Sequence, residues 1–277
     1  LSDPSLATDG ATVADAQVDF DGFVRRQETF DGKSYPVYQG GAGPAVIVIH
    51  EIPGLHPGVV DLARHIVKAG FTVVMPSLFG TPGRAASGGY AIGSLVRVCV
   101  SREFHMFALG RSSPIVTWLR SLAAQAHQEC GGRGVGAIGM CFTGGFALGM
   151  AVDERMLAPV LSQPANPAPV GARRRTSIDI SPADLDRVKQ RAAAGACQVL
   201  GLRFTADPAV PGARFAMLRR ELGDAFIAIE IDSSPGNPHG IGKGSHSVLT
   251  EHLVDEPGHP TVDARERVLD FLRAQLT

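Results

Sequence analysis

Cys141 stands in the run I-G-M-C-F-T-G-G, Ile138 to Gly145, with a glycine two positions before it and another three positions after it. Gly-x-Ser-x-Gly is the frame of a serine nucleophile, in which the glycines let a strand turn sharply into a helix. A thiol in that seat could attack an acyl carbonyl, provided a base takes its proton and a carboxylate orients the base. The start of the following helix would also place positive backbone dipoles near the sulfur, which favours thiolate. The competing view is that a free cysteine is a small packing residue, and Cys99, Cys130 and Cys197 are assigned to packing.

The elements around Cys141 separate the two views. Val18 to Arg26 and Ser34 to Tyr38 read as an antiparallel pair around Asp31 and Gly32. A-V-I-V-I-H, Ala45 to His50, is a continuous apolar run suited to a strand buried on both faces. Asp61 to Ala69 has helical spacing and stops at Gly70, and Phe71 to Met75 is a second buried strand. A helix follows over Pro114 to Ala126, capped by Ser112 or Ser113. The strand Val135 to Met140 then runs straight into a helix from Thr143 to Ala151. Leu157 to Ser162 is a strand; Gln198 to Phe204, Ala213 to Leu222 and Phe226 to Ile231 read as strand, helix, strand; Thr261 to Leu276 is a closing helix. This alternation implies a mostly parallel central sheet with helices on both faces, the α/β class. The segment Gln163 to Gly195 interrupts it, with Pro-rich Q-P-A-N-P-A-P-V, basic A-R-R-R-T and a Ser-Pro helix start, and reads either as a cap over the site or as a surface insertion.

In open α/β sheets, ligands gather at the carboxyl ends of strands. The residues at those ends are His50 and Glu51 in H-E-I-P-G, Cys141, Asp207 in F-T-A-D-P, and the Gly-rich loop that leads to His246. The order Cys, Asp, His is that of nucleophile, acid and base in the α/β-hydrolase arrangement. His239 lies nearer the middle of the same loop and is assigned to the rim. Asp224 precedes its strand and so falls on the wrong edge, and Asp232 follows the later strand, which leaves Asp207 preferred. Gly134, Gly136 and Gly139 spell G-x-G-x-x-G, but they begin and occupy a strand instead of following one, so no nucleotide site is expected.

Composition excludes other classes. The chain has 277 residues, 44% hydrophobic and 19% charged, with a formal net charge of −1, so neither disorder nor a general attraction to nucleic acid or anionic membrane is expected. No apolar run approaches a membrane span, and the opening residues show no basic start or apolar stretch of a secretory leader. Four scattered cysteines without C-x-x-C fit neither a disulfide framework nor a zinc knuckle, and a reducing cytoplasmic setting is expected. No cofactor or metal is expected, the whole chain reads as one domain, and the oligomeric state is open.

The sequence resembles the dienelactone hydrolase family, cysteine members of the α/β-hydrolase superfamily, from A-V-I-V-I-H-E-I-P-G through G-M-C-F-T-G-G and T-A-D-P to S-H-S. The resemblance implies Cys141 as nucleophile, His246 as base, Asp207 as its orienter and Glu51 as a second carboxylate beside the thiol, displaced by substrate to help deprotonate it. The oxyanion donors would be the N–H groups of Phe142 and Ile52, and a thioester on Cys141 would be hydrolysed by water that His246 activates. The family's arginines that grip a substrate carboxylate have no counterpart in S-V-L-T-E after His246, which leaves Arg102 and Arg203 as candidates. The leading expectation is therefore a carboxylic ester hydrolase acting on small esters or lactones. A non-catalytic ligand-binding or regulatory protein on the same fold is the alternative, and a different cysteine-dependent reaction, such as thioester transfer, is a third.

Overall fold

Runs of β-branched and other apolar residues form the middle of one sheet, and their alternation supplies two cores at once. A computed structural model of the chain describes residues 20–87, 89–91, 93–94, 113–166, 176–178 and 180–277. Its strands are β1 (Val24–Phe30), β2 (Lys33–Gly41), β3 (Ala45–Ile49), β4 (Thr72–Pro76), β5 (Val135–Met140), β6 (Met156–Ser162), β7 (Val199–Phe204) and β8 (Phe226–Ile231). They lie in the order β1-β2-β4-β3-β5-β6-β7-β8. β1, β2 and β4 pair antiparallel, and every pair from β4 to β8 is parallel. Along β3, Ala45, Ile47 and Ile49 face one core while Val46 and Val48 face the other. That two-sided burial explains the unbroken apolar run.

The helices among the described residues divide between the faces. α1 (Pro57–Lys68) and α6 (Pro260–Leu276) cover the Val46 side, whereas α2 (Pro114–Cys130), α3 (Gly144–Met150), α4 (Pro182–Ala193) and α5 (Gly212–Leu222) cover the other. Ser113 caps α2 by accepting from the Ile115 N–H, and Ser181 caps α4 by accepting from the Asp184 N–H. None of these helices is long and apolar enough to cross a membrane.

Among the elements that differ from the sequence expectation are β1, α1 and the stretch after β6. β1 starts at Val24, not Val18, and runs to the turn, where Asp31 (φ 50°) and Gly32 (φ 74°) make a two-residue hairpin with both central residues left-handed. Val18 lies outside the described residues. α1 begins at Pro57, four residues before Asp61, because proline suits the first helical position. The stretch read as a cap or surface insertion contains α4, which buries Val188 and Ala192 in the core and connects the parallel neighbours β6 and β7. Over residues 182–193 the chain therefore continues the strand–helix alternation.

Candidate active site

The carboxyl ends of β3, β5, β6, β7 and β8 deliver Glu51, Cys141, Gln163, Asp207 and the His246 loop to one edge of the sheet. Cys141 opens a one-turn 3-10 segment, Cys141–Thr143, between β5 and α3, and holds φ 56°. A left-handed cysteine is strained by roughly 1–3 kcal/mol, so its surroundings must impose the turn. They do so through contacts that leave no room. A Cβ on Gly139 would lie 2.2 Å from the Thr143 carbonyl oxygen, and one on Gly144 would lie 2.8 Å from Pro164 Cβ. The Thr143 hydroxyl accepts from the Met140 N–H at 2.8 Å and lies within hydrogen-bond distance of the Met140 and Ile49 carbonyls. The glycines that mimicked a nucleotide fingerprint are packing positions: a Cβ on Gly136 would meet Leu272 of α6 at 2.8 Å.

The structure brings Cys141, His246 and Asp207 together. His246 Nδ1 is 2.6 Å from Asp207 Oδ2, and Cys141 lies close enough to His246 to raise the imidazole's proton affinity. Asp207 is itself fixed, since its Oδ1 accepts from the Ala209 N–H at 2.8 Å. Burial lowers the imidazole's proton affinity, but the interactions with Asp207 and Cys141 outweigh it and push His246 up to about 11. Neither rival base nor rival acid joins this group. His239 is exposed and packs its ring against His259, while Asp232 is exposed and accepts from the Ser234 N–H. Asp224 lies in a 3-10 turn before β8, at the opposite end of that strand.

Glu51 is buried, 2% exposed, and both of its carboxylate oxygens are held in hydrogen bonds. Its Oε1 accepts from Thr250 and from His56 Nε2 at 3.3 Å, and its Oε2 from Ser247 at 2.7 Å and Gln163 Nε2 at 3.0 Å. Burial alone would raise its proton affinity. The bonds from His56, Thr250 and Ser247 reverse this and hold the carboxyl below its usual range. His50 beside it is locked neutral. Its Nε2 accepts from the Leu78 N–H at 3.0 Å, so Nδ1 carries the proton and donates to the Glu51 carbonyl, and burial pushes His50 down to about 4.

Phe142 belongs to an aromatic run from His50 through Phe79 to Phe146, with ring centroids 4.3 to 5.5 Å apart. Among the described residues no backbone acceptor takes the Ile52 N–H. Arg203, a candidate for gripping substrate, is placed otherwise. It is buried, bonds Glu230 through Nε at 2.8 Å, and donates through Nη1 to the carbonyls of Phe204, Thr205 and Val210. A guanidinium so committed is a structural tie across β7 and β8. Arg102 lies outside the described residues, as does Cys99. Cys197 is buried, and burial pushes its thiol up to about 11, as befits a packing cysteine. Sequence reasoning missed Thr143, Gln163, Ser247, Thr250 and His56. Only Gln163 had a signal, because it follows a predicted strand and so stands at a carboxyl end.

The model of the dienelactone hydrolase family matches residues 34–276. The chain belongs to the dienelactone hydrolase family. The match takes in every strand from β3 to β8 and all four candidate catalytic residues. A dienelactone hydrolase of Anabaena variabilis is 14% identical with a TM-score of 0.60, over 92% of this chain and 98% of that one. A dienelactone hydrolase-like promiscuous phosphotriesterase, P91, from metagenomic libraries is 16% identical with a TM-score of 0.57, over 92% and 98%. At these identities the two structures bear on the fold alone, which is that of an α/β hydrolase. The Escherichia coli K12 protein YghX, whose name gives it as a hydrolase fragment, is 40% identical over 55 residues, 20% of this chain and 43% of that protein. The chain thus spans less than half the length of that curated relative.

Proposed function

We propose that this member of the dienelactone hydrolase family cleaves small esters or lactones through a thioester on Cys141. The observation that carries the reading is the arrangement of His246 between Asp207, at 2.6 Å, and the Cys141 thiol. Asp207 fixes the imidazole, and His246 takes the Cys141 proton. The thiolate then adds to the carbonyl carbon, with the oxyanion held by the N–H groups of Phe142 and Ile52. Collapse expels the alkoxide, which takes its proton from the His246 imidazolium, and leaves the acyl group on sulfur. His246 next removes a proton from water as that water attacks the thioester, and the acid departs as Cys141 regains its starting state. With a lactone, the expelled alkoxide stays tethered and the product is a hydroxy acid. Glu51 enters this scheme through Ser247, next to His246, rather than through a bond to the sulfur.

Turnover of an activated ester by Cys141→Ala tests the reading. Loss of about a thousandfold or more is expected, since removing the nucleophile removes the route. Full activity in the alanine variant would overturn it. Tight ligand retention by the native protein, with no product released, would favour a binding protein instead.

A further inference from the structure

β6 ends at the centre of the candidate site, and the residue that follows it has an uncommon set of attachments. Gln163 is fully buried and holds φ 35°, a left-handed conformation that a non-glycine residue adopts only when its neighbours impose it. Its backbone N–H donates to the Leu202 carbonyl of β7 at 2.7 Å. Its side-chain Nε2 donates to Glu51 Oε2 at 3.0 Å, while its Oε1 accepts from the Val248 N–H at 3.3 Å and from the Ser162 hydroxyl. Val248 lies two residues beyond His246, and Glu51 in turn accepts from Ser247. Both routes from Gln163 therefore end on the loop that carries the base.

The next two residues reach the other two turns. The Ala165 N–H donates to the Cys141 carbonyl at 3.0 Å, and Pro164 packs on Gly144. The Pro164 carbonyl accepts from Arg214 Nη1 at 2.6 Å, and the same nitrogen donates to the Ala209 carbonyl at 2.9 Å, two residues past Asp207. One short segment after β6 is thus tied to the nucleophile turn, the base loop and the acid loop.

We propose that residues 163–165 are a strut that sets the mutual position of Cys141, His246 and Asp207, with Gln163 the positioning residue for His246. The proposal rests on the triad assigned above. A glutamine suits the post because its amide presents a donor and an acceptor together. Glutamate has the same length but turns an oxygen toward Glu51, and methionine offers neither group to the buried partners.

The test is the rate at which iodoacetamide alkylates Cys141, followed by mass spectrometry of the Cys141 peptide, in native protein, Gln163→Glu and Gln163→Met. Alkylation needs no ester, so a native protein that turned over no ester would defeat the hydrolase reading and leave this measurement intact. Near neutral pH, Gln163→Glu is expected to react about tenfold more slowly or worse, because misplaced catalytic groups lose their pairing. The ratio to native protein should climb toward parity as pH falls, because the introduced carboxyl, buried against the Glu51 anion, takes up a proton more readily than a free glutamate and again presents a donor to Glu51. The methionine variant should stay slow at every pH. A glutamate variant that matches native protein, or whose deficit is the same at every pH, overturns the proposal. If the glutamate variant does not fold, as read by its melting transition, the methionine variant decides: native reactivity there overturns it as well.

Discussion

Two clusters of ionisable groups share the loop from His246 to Thr250, and they are built on opposite terms. Around Glu51 every carboxylate oxygen has two donors and the side chain is buried. Cys141 is half-buried, its backbone is held left-handed, and the His246 side chain is 24% exposed. The same kinds of residue thus become framework or reagent according to how fully their hydrogen bonds are met and whether water and substrate can approach. A carboxylate with four donors has little left to offer a reaction. A thiol on a strained turn with one basic neighbour does.

The contrast can be broken from either side. On the reactive side, Asp207→Asn leaves His246 without its anionic partner, and ester turnover should fall by about 10² to 10⁴-fold with little change in melting temperature. On the framework side, Glu51→Gln replaces an anion with an amide that cannot satisfy four donors. It should cost about 1–3 kcal/mol of stability in chemical denaturation. If Glu51 instead acted directly on the thiol, as the family resemblance implies, turnover would collapse while stability held.

The same framework also predicts a pH slope. His50 takes up its proton at about pH 4 when folded and at its ordinary 6.5 when unfolded. The unfolded chain therefore binds more protons between these values, and stability should fall by about 3 kcal/mol as pH drops through that window. His50→Asn should flatten that part of the profile, as read by denaturation at several pH values.

Much of this contrast was legible before the structure, and the part that was not has physical causes. Ala45–Ile49, Val135–Met140 and Phe226–Ile231 were readable because burial on both faces, or a regular apolar pattern, writes a strand directly into composition. β1 was misplaced because V-R-R-Q-E-T-F is mostly polar and packs on one side only. α4 was hidden behind the Pro-rich and basic runs that precede it, although its Ser-Pro start is legible. The triad candidates were legible because each follows a strand.

The Glu51 cluster was not, because serine, threonine and glutamine are ordinary polar residues until a distant partner gives them a role. Gln163 lies 112 residues from Glu51 and Ser247 lies 196. Arg203 was the reverse case, a residue whose partner could have been read. V-L-G-L-R-F and F-I-A-I-E-I are parallel and in register, and they place Arg203 beside Glu230.

The central claim is that Cys141 carries the acyl group. Rapid acid quenching of the protein during turnover of an activated ester, followed by peptide mass spectrometry, tests it most directly. The account predicts an adduct with the mass of the acyl group on the peptide containing Cys141, absent from Cys141→Ala. Turnover without any adduct there, or an acyl group carried on another residue, would contradict it.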